Sequence, residues 1–114
     1  MKFNEYQKLA QRTEKPLDLK DALLHGMIGT FTEAGELGDA VKKHVFYNKE
    51  LDFQNVREEI GDLMWYLAVI ANNLGMDMDE IAAENIDKLK IRYPEKYSNE
   101  AAVNRADKVW PGGA

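Results

Sequence analysis

The segment from Asp52 to Gly75 constrains the fold more than any other part of the sequence, because it is apolar on nearly every side. At about 100° per residue, a helix over this segment has its main apolar face at Ile60, Leu63, Met64, Leu67, Ala71 and Leu74. Trp65, Tyr66 and Val69 lie off that face, so little of the helix surface suits water. A helix with this pattern is buried, and we predict that the segment forms the centre of a helical core.

Other segments also carry the spacing of helices, and none alternates in the manner of a half-buried strand. The predicted helices span residues 4–11, 18–46, 52–75 and 77–93, followed by a short helical turn at 99–104. Asn4, Asp52 and Asp77 are suited to cap the beginnings of three of these helices. The predicted fold class is therefore all-α, a four-helix-bundle-like arrangement with short connections.

The length of 114 residues fits one domain, which we place at residues 1–108 with a flexible C-terminal tail at 109–114. A net charge of −5 argues against nucleic-acid binding, because phosphate backbones are held by basic patches. The absence of cysteine excludes disulfides and thiolate zinc sites. The N-terminus has no apolar signal-peptide core, and the longest apolar run, residues 63–71, is about half the length that spans a bilayer. We therefore expect a cytoplasmic protein with no membrane partner.

Two pairs of acids with i, i+3 spacing lie inside the long helices, away from the ends where the helix dipole favours negative charge. They are Glu33 with Glu36, and Glu59 with Asp62. In each pair a glycine precedes the second acid, although glycine inside a helix costs ~0.5–1 kcal/mol relative to alanine. We therefore expect a close backbone approach at these two glycines.

The acids of the third helix are the stronger candidates for a site. Glu59 and Asp62 lie on a helix that we expect to be buried, and a buried carboxylate is costly unless it is paired, protonated or bound to metal. No lysine or arginine lies one turn away on the same stripe to neutralise them. We therefore expect both acids to face the interior or a cleft lined by aromatic side chains.

The second helix leaves two interpretations open. Its main apolar face consists of Leu24, Met27, Ile28, Phe31, Ala34, Val41 and Val45. Opposite that face, Glu33 and Glu36 share a stripe with small residues, namely Ala22, Gly26, Gly29 and Ala40. The stripe is consistent either with a solvated surface or with the floor of a cleft. Together with the acids of the third helix, it favours a joint site of four carboxylates.

Carboxylate oxygens are hard ligands, which suit Mg²⁺, Mn²⁺ or Ca²⁺ rather than a soft metal. A di-iron site in a helical bundle would use Glu-x-x-His motifs, and neither His25 nor His44 follows a glutamate at that spacing. His25 is expected to be a structural or surface histidine. For Trp65 and Tyr66, core packing is favoured over contact with a ligand.

The predicted fourth helix carries polar side chains in a stripe beside its packing face, at Asn85, Lys88 and Arg92. One interpretation is a solvated flank, in which long side chains keep their charged ends in water. The other is a clamp for phosphate oxygens. Carboxylates, a metal and cations together are the groups that phosphoanhydride cleavage needs.

At these residues the chain resembles the MazG-like, all-α nucleotide pyrophosphohydrolases, whose signature is Glu-x-x-Glu followed some two dozen residues later by Glu-x-x-Asp. The two acid pairs carry this signature, and the resemblance continues through residues 56–67 and 85–94. It covers about residues 20–105. The resemblance implies a MazG-type oligomeric fold, a homodimer or homotetramer, and hydrolysis of a nucleoside triphosphate to a monophosphate and pyrophosphate, for nucleotide pool control or house-cleaning.

The resemblance also implies roles for individual residues. The catalytic and Mg²⁺-binding residues, with Mn²⁺ as a possible substitute ion, would be Glu33, Glu36, Glu59 and Asp62. The residues that contact the nucleotide would be Asn85, Lys88, Arg92 and Tyr93. The alternative hypothesis is a helical regulatory module that binds a nucleotide or a partner without turnover.

Overall fold

The computed structural model describes residues 1–105 and residue 107. Its helices are α1 (Phe3–Gln11), α2 (Leu19–Phe46), α3 (Phe53–Asn73), α4 (Met78–Arg92) and α5 (Asn99–Asn104). The described residues form no strand, so the all-α prediction is confirmed. Within that part of the chain, no helix is long and apolar enough to cross a membrane.

Short polar residues begin the two longest helices. The side chains of Asp18 and Asp52 each accept a hydrogen bond from a backbone N–H three residues further on, at 2.8 and 3.0 Å. Such caps satisfy N–H groups that have no partner inside the helix, and the predicted cap at Asp52 is confirmed. The predicted cap at Asn4 is wrong, because α1 already begins at Phe3 and its N-cap residue, Lys2, makes no side-chain capping bond.

The chain divides into two compact units, Met1–Met78 and a second unit that begins at Asp79. In the first unit, α3 packs against both α2 and α1. The four-helix arrangement, the oligomer and the single domain over 1–108 stay predictions. The predicted tail at 109–114 lies outside the described residues.

The stripe of small residues on α2 is the surface that packs against α3. Its four members Ala22, Gly26, Gly29 and Ala40 are the buried residues of this helix. A Cβ atom added at Gly29 would overlap the ring of Tyr66, and one added at Gly26 would lie 2.6 Å from Cγ1 of Ile70. These glycines are needed because the backbone of α2 runs directly against large side chains of α3.

The glycines inside the acid pairs, Gly35 and Gly61, do not mark such an approach. Apart from the chain neighbours and the backbone of the same helix, no heavy atom of the described residues lies within 4 Å of the Cβ position at either of them. The expectation of a close backbone approach at these two positions is therefore wrong.

The apolar faces that dominate the sequence pattern are largely exposed within one chain. On α2, Phe31 is 69% exposed and Ile28 57%. On α3, Ile60 and Leu67 of the predicted main face are also exposed, whereas Val69 from another side of the helix is fully buried. On α2 the packing face is thus the one that carries small residues, and the larger apolar side chains of that helix point away from α3.

A buried amide attaches α1 to the end of α3. The Gln7 side chain donates to Oδ1 of Asn72 at 3.1 Å and to the carbonyl of Met76 at 2.9 Å, and it accepts from the N–H of Met78 at 2.8 Å. Asn72 donates in return to the backbone carbonyl of Gln7 at 3.1 Å. Because a buried polar group is costly without partners, this network sets the position of α1 on α3.

Candidate metal centre

The packing of α2 against α3 sets which acids face each other. Gly26 lies against Ile70 and Gly29 lies against Tyr66, so the residue numbers run in opposite directions along the two helices. Continuing this antiparallel register by about one helical turn brings Glu33 opposite residue 62 and the next acid of α2 opposite residue 59.

The carboxylates of this register meet at one place. One oxygen each from Glu33, Glu59 and Asp62 lie within 4.8 Å of one another. Glu36 is exposed, but it is close enough to Glu59 to raise the pKa of that residue. The structure therefore brings together the four acids of the two sequence pairs, three of them tightly.

Burial divides the acids. Glu59 is 7% exposed and Glu33 is half-buried, whereas Asp62 is exposed. Both acids of α3 were expected to face the interior or a cleft, and of the two only Glu59 is buried. The exposed position of Asp62 leaves the cluster accessible from solvent on that side.

Two oxygens of the cluster are buried and have no hydrogen-bond partner among the described residues, namely Oε2 of Glu33 and Oε2 of Glu59. A buried polar atom without a partner loses its hydration with nothing in exchange. A carboxylate in this position can be neutralised by a proton or by a cation.

The pKa of Glu59 is raised by its carboxyl neighbour and by the same burial. It is raised from its ordinary value of 4.5 to about 7, chiefly by a carboxyl–carboxyl interaction with Glu33, which a shared proton stabilises, then by burial, and then by Glu36. Like charges at close range favour the neutral form of one member. Without a cation, the cluster therefore retains a proton close to neutral pH.

The donor set fits a hard divalent cation. All three clustered ligands are carboxylate oxygens, the donors preferred by Mg²⁺ and Ca²⁺. Two oxygens on opposite sides of a Mg²⁺ ion are about 4.2 Å apart, and the larger Ca²⁺ allows about 5 Å. The three oxygens lie within 4.8 Å of one another, so the most distant pair would need to approach by at most about 0.6 Å for the smaller ion. An acidic cluster able to hold a metal ion is thus present.

The helix α1 adds a residue that sequence reasoning missed. Burial raises the pKa of the Tyr6 hydroxyl, and the carboxylate of Asp62 raises it further, so this phenol lies within electrostatic reach of the cluster. Tyr6 is more than 50 positions from Asp62 in the sequence and shares no periodic pattern with it. Only the packing of α1 on α3 reveals the relationship.

Aromatic side chains of α2 and α3 pack against one another. The ring of His25 meets Tyr66 edge-on with centroids 5.5 Å apart, and Trp65 meets Tyr66 edge-on at 5.1 Å. The indole N–H of Trp65 donates to the hydroxyl of Thr13 at 2.9 Å. Since Tyr66 also covers Gly29, these contacts fit the packing role expected for the aromatic residues.

The predicted nucleotide contacts all lie in the second unit. Asn85 and Lys88 are exposed on α4. Arg92 ends that helix and forms a bidentate ion pair with Asp107, with Nε–Oδ1 2.7 Å and Nη2–Oδ2 2.9 Å. Tyr93 is half-buried beside Arg92. Asp107 was not identified from the sequence, because it lies beyond the last predicted helical segment and shares no spacing with α4.

Comparison with known proteins gives a family for this arrangement. The family model described as MazG nucleotide pyrophosphohydrolase domain matches residues 24–97, a range that contains all eight predicted site residues. The chain is also 33% identical over 79 residues to the Gene 37 protein of Mycobacterium phage L5, covering 66% of this chain and 69% of that protein. No solved structure matches it. On the family match, which spans more than half of its residues, the chain belongs to the MazG nucleotide pyrophosphohydrolase family.

Proposed function

We propose that the chain is a Mg²⁺-dependent pyrophosphohydrolase that converts a nucleoside or deoxynucleoside triphosphate and water to the monophosphate and pyrophosphate. The observation that carries this proposal is the pair of buried, unpartnered carboxylate oxygens of Glu33 and Glu59 within a cluster of acids. Four acids without a cation repel a triphosphate, whereas a divalent cation reverses the local charge and attracts it. The proposed cellular role is nucleotide pool control or house-cleaning.

In this proposal Glu33, Glu36, Glu59 and Asp62 hold the ion, which is Mg²⁺ with Mn²⁺ as a substitute. When bound, the ion would neutralise phosphate charge and lower the pKa of the attacking water. Glu59 is protonated close to neutral pH without the ion, and it must release that proton to act as a ligand.

On α4 and just after it, donors and cations contact the triphosphate. Lys88 and Arg92 bind phosphate oxygens and stabilise the negative charge that develops as the anhydride bond breaks. The amide of Asn85 and the hydroxyl of Tyr93 donate further hydrogen bonds. The guanidinium of Arg92 suits this role because its planar fork matches two oxygens of one phosphate.

The test is a panel of nucleoside and deoxynucleoside triphosphates, incubated with the protein and Mg²⁺ or Mn²⁺, with the products identified. The proposal expects pyrophosphate and a monophosphate from at least one nucleotide, and no turnover after the metal is chelated. Orthophosphate as the product would indicate a different reaction. Binding measured by calorimetry without any hydrolysis would support the regulatory module instead.

We also propose that the active form is a homodimer or a homotetramer built from dimers. The exposed apolar face of α2 extends from Leu24 to Val45, about 30 Å along the helix. A second copy of the chain is its proposed occupant, because a long apolar stripe on one helix can pack against its own copy about a two-fold axis. Continuous exposed apolar surface of this kind is typical of an interface.

A further inference from the structure

The ion pair between Arg92 and Asp107 is anchored far more firmly than a solvated surface contact. The Asp107 side chain is completely buried and that of Arg92 is 19% exposed. The two hydrogen bonds are short and parallel, the geometry in which a carboxylate fits the guanidinium fork best. The proximity of Arg92 holds the pKa of Asp107 well below its usual range, at about 2, so the carboxylate is charged throughout the neutral pH range.

The guanidinium is also held on its face. Its central carbon lies 5.9 Å from the centroid of the Tyr93 ring, within the range of cation–π attraction. Tyr93 in turn packs against Tyr97, with ring centroids 5.4 Å apart. One edge and one face of Arg92 are therefore fixed by other residues of the second unit, which defines the orientation of the group.

An arginine held in this way still has donors to offer. A guanidinium carries five N–H bonds, and the pair with Asp107 uses the Nε–H and one N–H of Nη2. The edge formed by Nη1 and Nη2 is a second fork, which can bind two oxygens of one phosphate. The same arginine can thus bind a carboxylate along one edge and an anion along the other.

From this geometry, and resting on the proposed function, we infer that Asp107 is a positioning residue that orients Arg92 so that its Nη1–Nη2 edge binds phosphate oxygens of the nucleotide. Release of Arg92 at each turnover is disfavoured, because separating the pair would leave a buried charge without a partner. Asp107 lies ten residues beyond the end of the family match at residue 97. The acid that orients Arg92 is therefore supplied by the C-terminal part of this chain.

Two roles for Asp107 predict opposite results when its charge is removed. If the acid only cancelled the charge of Arg92 or competed with phosphate, Asp107→Asn would strengthen anion binding. If it orients the guanidinium, the same change weakens binding, although the protein becomes less negative. Glu100→Gln is the matched control, since Glu100 is an exposed acid on α5 in the same unit and its loss changes the net charge equally.

The probe is inorganic tripolyphosphate with excess Mg²⁺, titrated into the full chain and followed by calorimetry. For Asp107→Asn we expect a loss of affinity on the order of tenfold, the size typical when a residue that orients a binding side chain is removed. Glu100→Gln should bind as tightly as the wild type or slightly more tightly. Asp107→Glu, which keeps the charge but moves it by one bond, should bind with intermediate affinity.

The double variant Arg92→Ala/Asp107→Asn tests whether the acid acts through the arginine. It should bind no more weakly than Arg92→Ala alone. Unchanged or tighter binding by Asp107→Asn, further loss in the double variant, or no binding by the wild type would each overturn the inference. If Asp107→Asn does not fold, Asp107→Glu carries the test, and affinity equal to or above the wild type overturns it. Because binding needs no turnover, a chain that shows these affinities but releases no pyrophosphate would refute the proposed function alone.

Discussion

Glu59 differs from a surface acid in two ways. It is buried, and it faces other carboxylates across the interface between α2 and α3. Its neighbours in the sequence do not share them. Glu58, one position earlier, is exposed and accepts a hydrogen bond from Gln54 at 3.3 Å. The difference of one position, about 100° around the helix, separates a solvated acid from one that needs a proton or a cation.

Replacing Glu59 by glutamine should abolish hydrolysis without unfolding the protein. Glutamine keeps the shape, removes a charge that Glu33 repels, and cannot serve as an anionic ligand. We expect activity to fall by more than the roughly 10- to 100-fold typical of residues that only support a metal ligand. The melting temperature of the metal-free protein should stay equal or rise. Pyrophosphate release and thermal unfolding check this, with Glu58→Gln as the control; equal activity in the two variants would remove Glu59 from the site.

The raised pKa of Glu59 predicts how the stability of the metal-free protein depends on pH. Between about 4.5 and about 7 the folded protein holds a proton that the unfolded chain has released, so the free energy of unfolding falls as the pH rises through this window. The contribution is complete below the window and lost above it. Urea unfolding in the presence of a chelator measures this, and Glu59→Gln should show a smaller decrease over the window. Parallel pH profiles for the two proteins would contradict the assignment.

Mg²⁺ should show the opposite dependence on pH, because it binds the ionised carboxylate. Below pH 7, binding must displace the proton of Glu59, so the affinity should rise by up to about tenfold per pH unit and level off above it. Calorimetric titration of Mg²⁺ at several pH values checks this. A pH-independent affinity between pH 5 and 7 would show that this carboxylate is not a ligand.

At the scale of the helices, small residues decide the register of α2 on α3. Gly26 and Gly29 allow the large side chains of α3 to lie directly on the α2 backbone. The acids lie one and two turns further along the same stripe, so the glycine contacts also set which carboxylates meet. The same stripe of residues on α2 therefore determines both how the helix packs on α3 and which carboxylates meet.

Gly29→Ala should destabilise the fold. The added methyl group would overlap the Tyr66 ring, and overpacking of this kind typically costs about 1–3 kcal/mol. Gly38→Ala is the control within the same helix, because no heavy atom of the described residues other than its chain neighbours and the backbone of α2 lies within 4 Å of its Cβ position; it should leave stability unchanged or raise it by ~0.5–1 kcal/mol. Urea unfolding measures both, and a neutral Gly29→Ala would contradict the packing.

At the scale of the whole molecule, the exposed apolar faces of the chain need a partner surface to pack against. Phe31 is 69% exposed and lies in the middle of the long apolar stripe of α2. We expect a charge at this position, in Phe31→Glu, to separate the proposed dimer, because a buried unpaired charge is costly. Light scattering should give at least twice the chain mass of 13.0 kDa for the wild type and a lower mass for the variant. Val103→Glu, at an 82% exposed position on α5, is the control. A wild-type mass of one chain would refute the assembly.

Local patterns predicted the helices well and the packing faces poorly. The helix over 52–75 is found at Phe53–Asn73 with its cap at Asp52, because spacing and capping are properties of neighbouring residues. Of the main apolar face assigned to that helix, Ala71 is buried and Leu63 and Met64 are half-buried, whereas Ile60, Leu67 and Leu74 are exposed within the chain. A helical pattern shows which residues share a side, but it does not show whether that side meets another helix of the same chain or a different molecule.

The sequence by itself determined the class of fold, the two acid pairs and the chemistry of their ligands, because periodicity and donor type are local properties that no later packing can change. The tertiary structure alone decided that the stripe of small residues, rather than the large apolar face, packs α2 onto α3. It also decided that Glu59 is buried while Asp62 is exposed, and that Arg92 is held by Asp107. Each of these depends on contacts between residues far apart in the chain, and the distances that set a pKa or a metal site exist only once those residues meet.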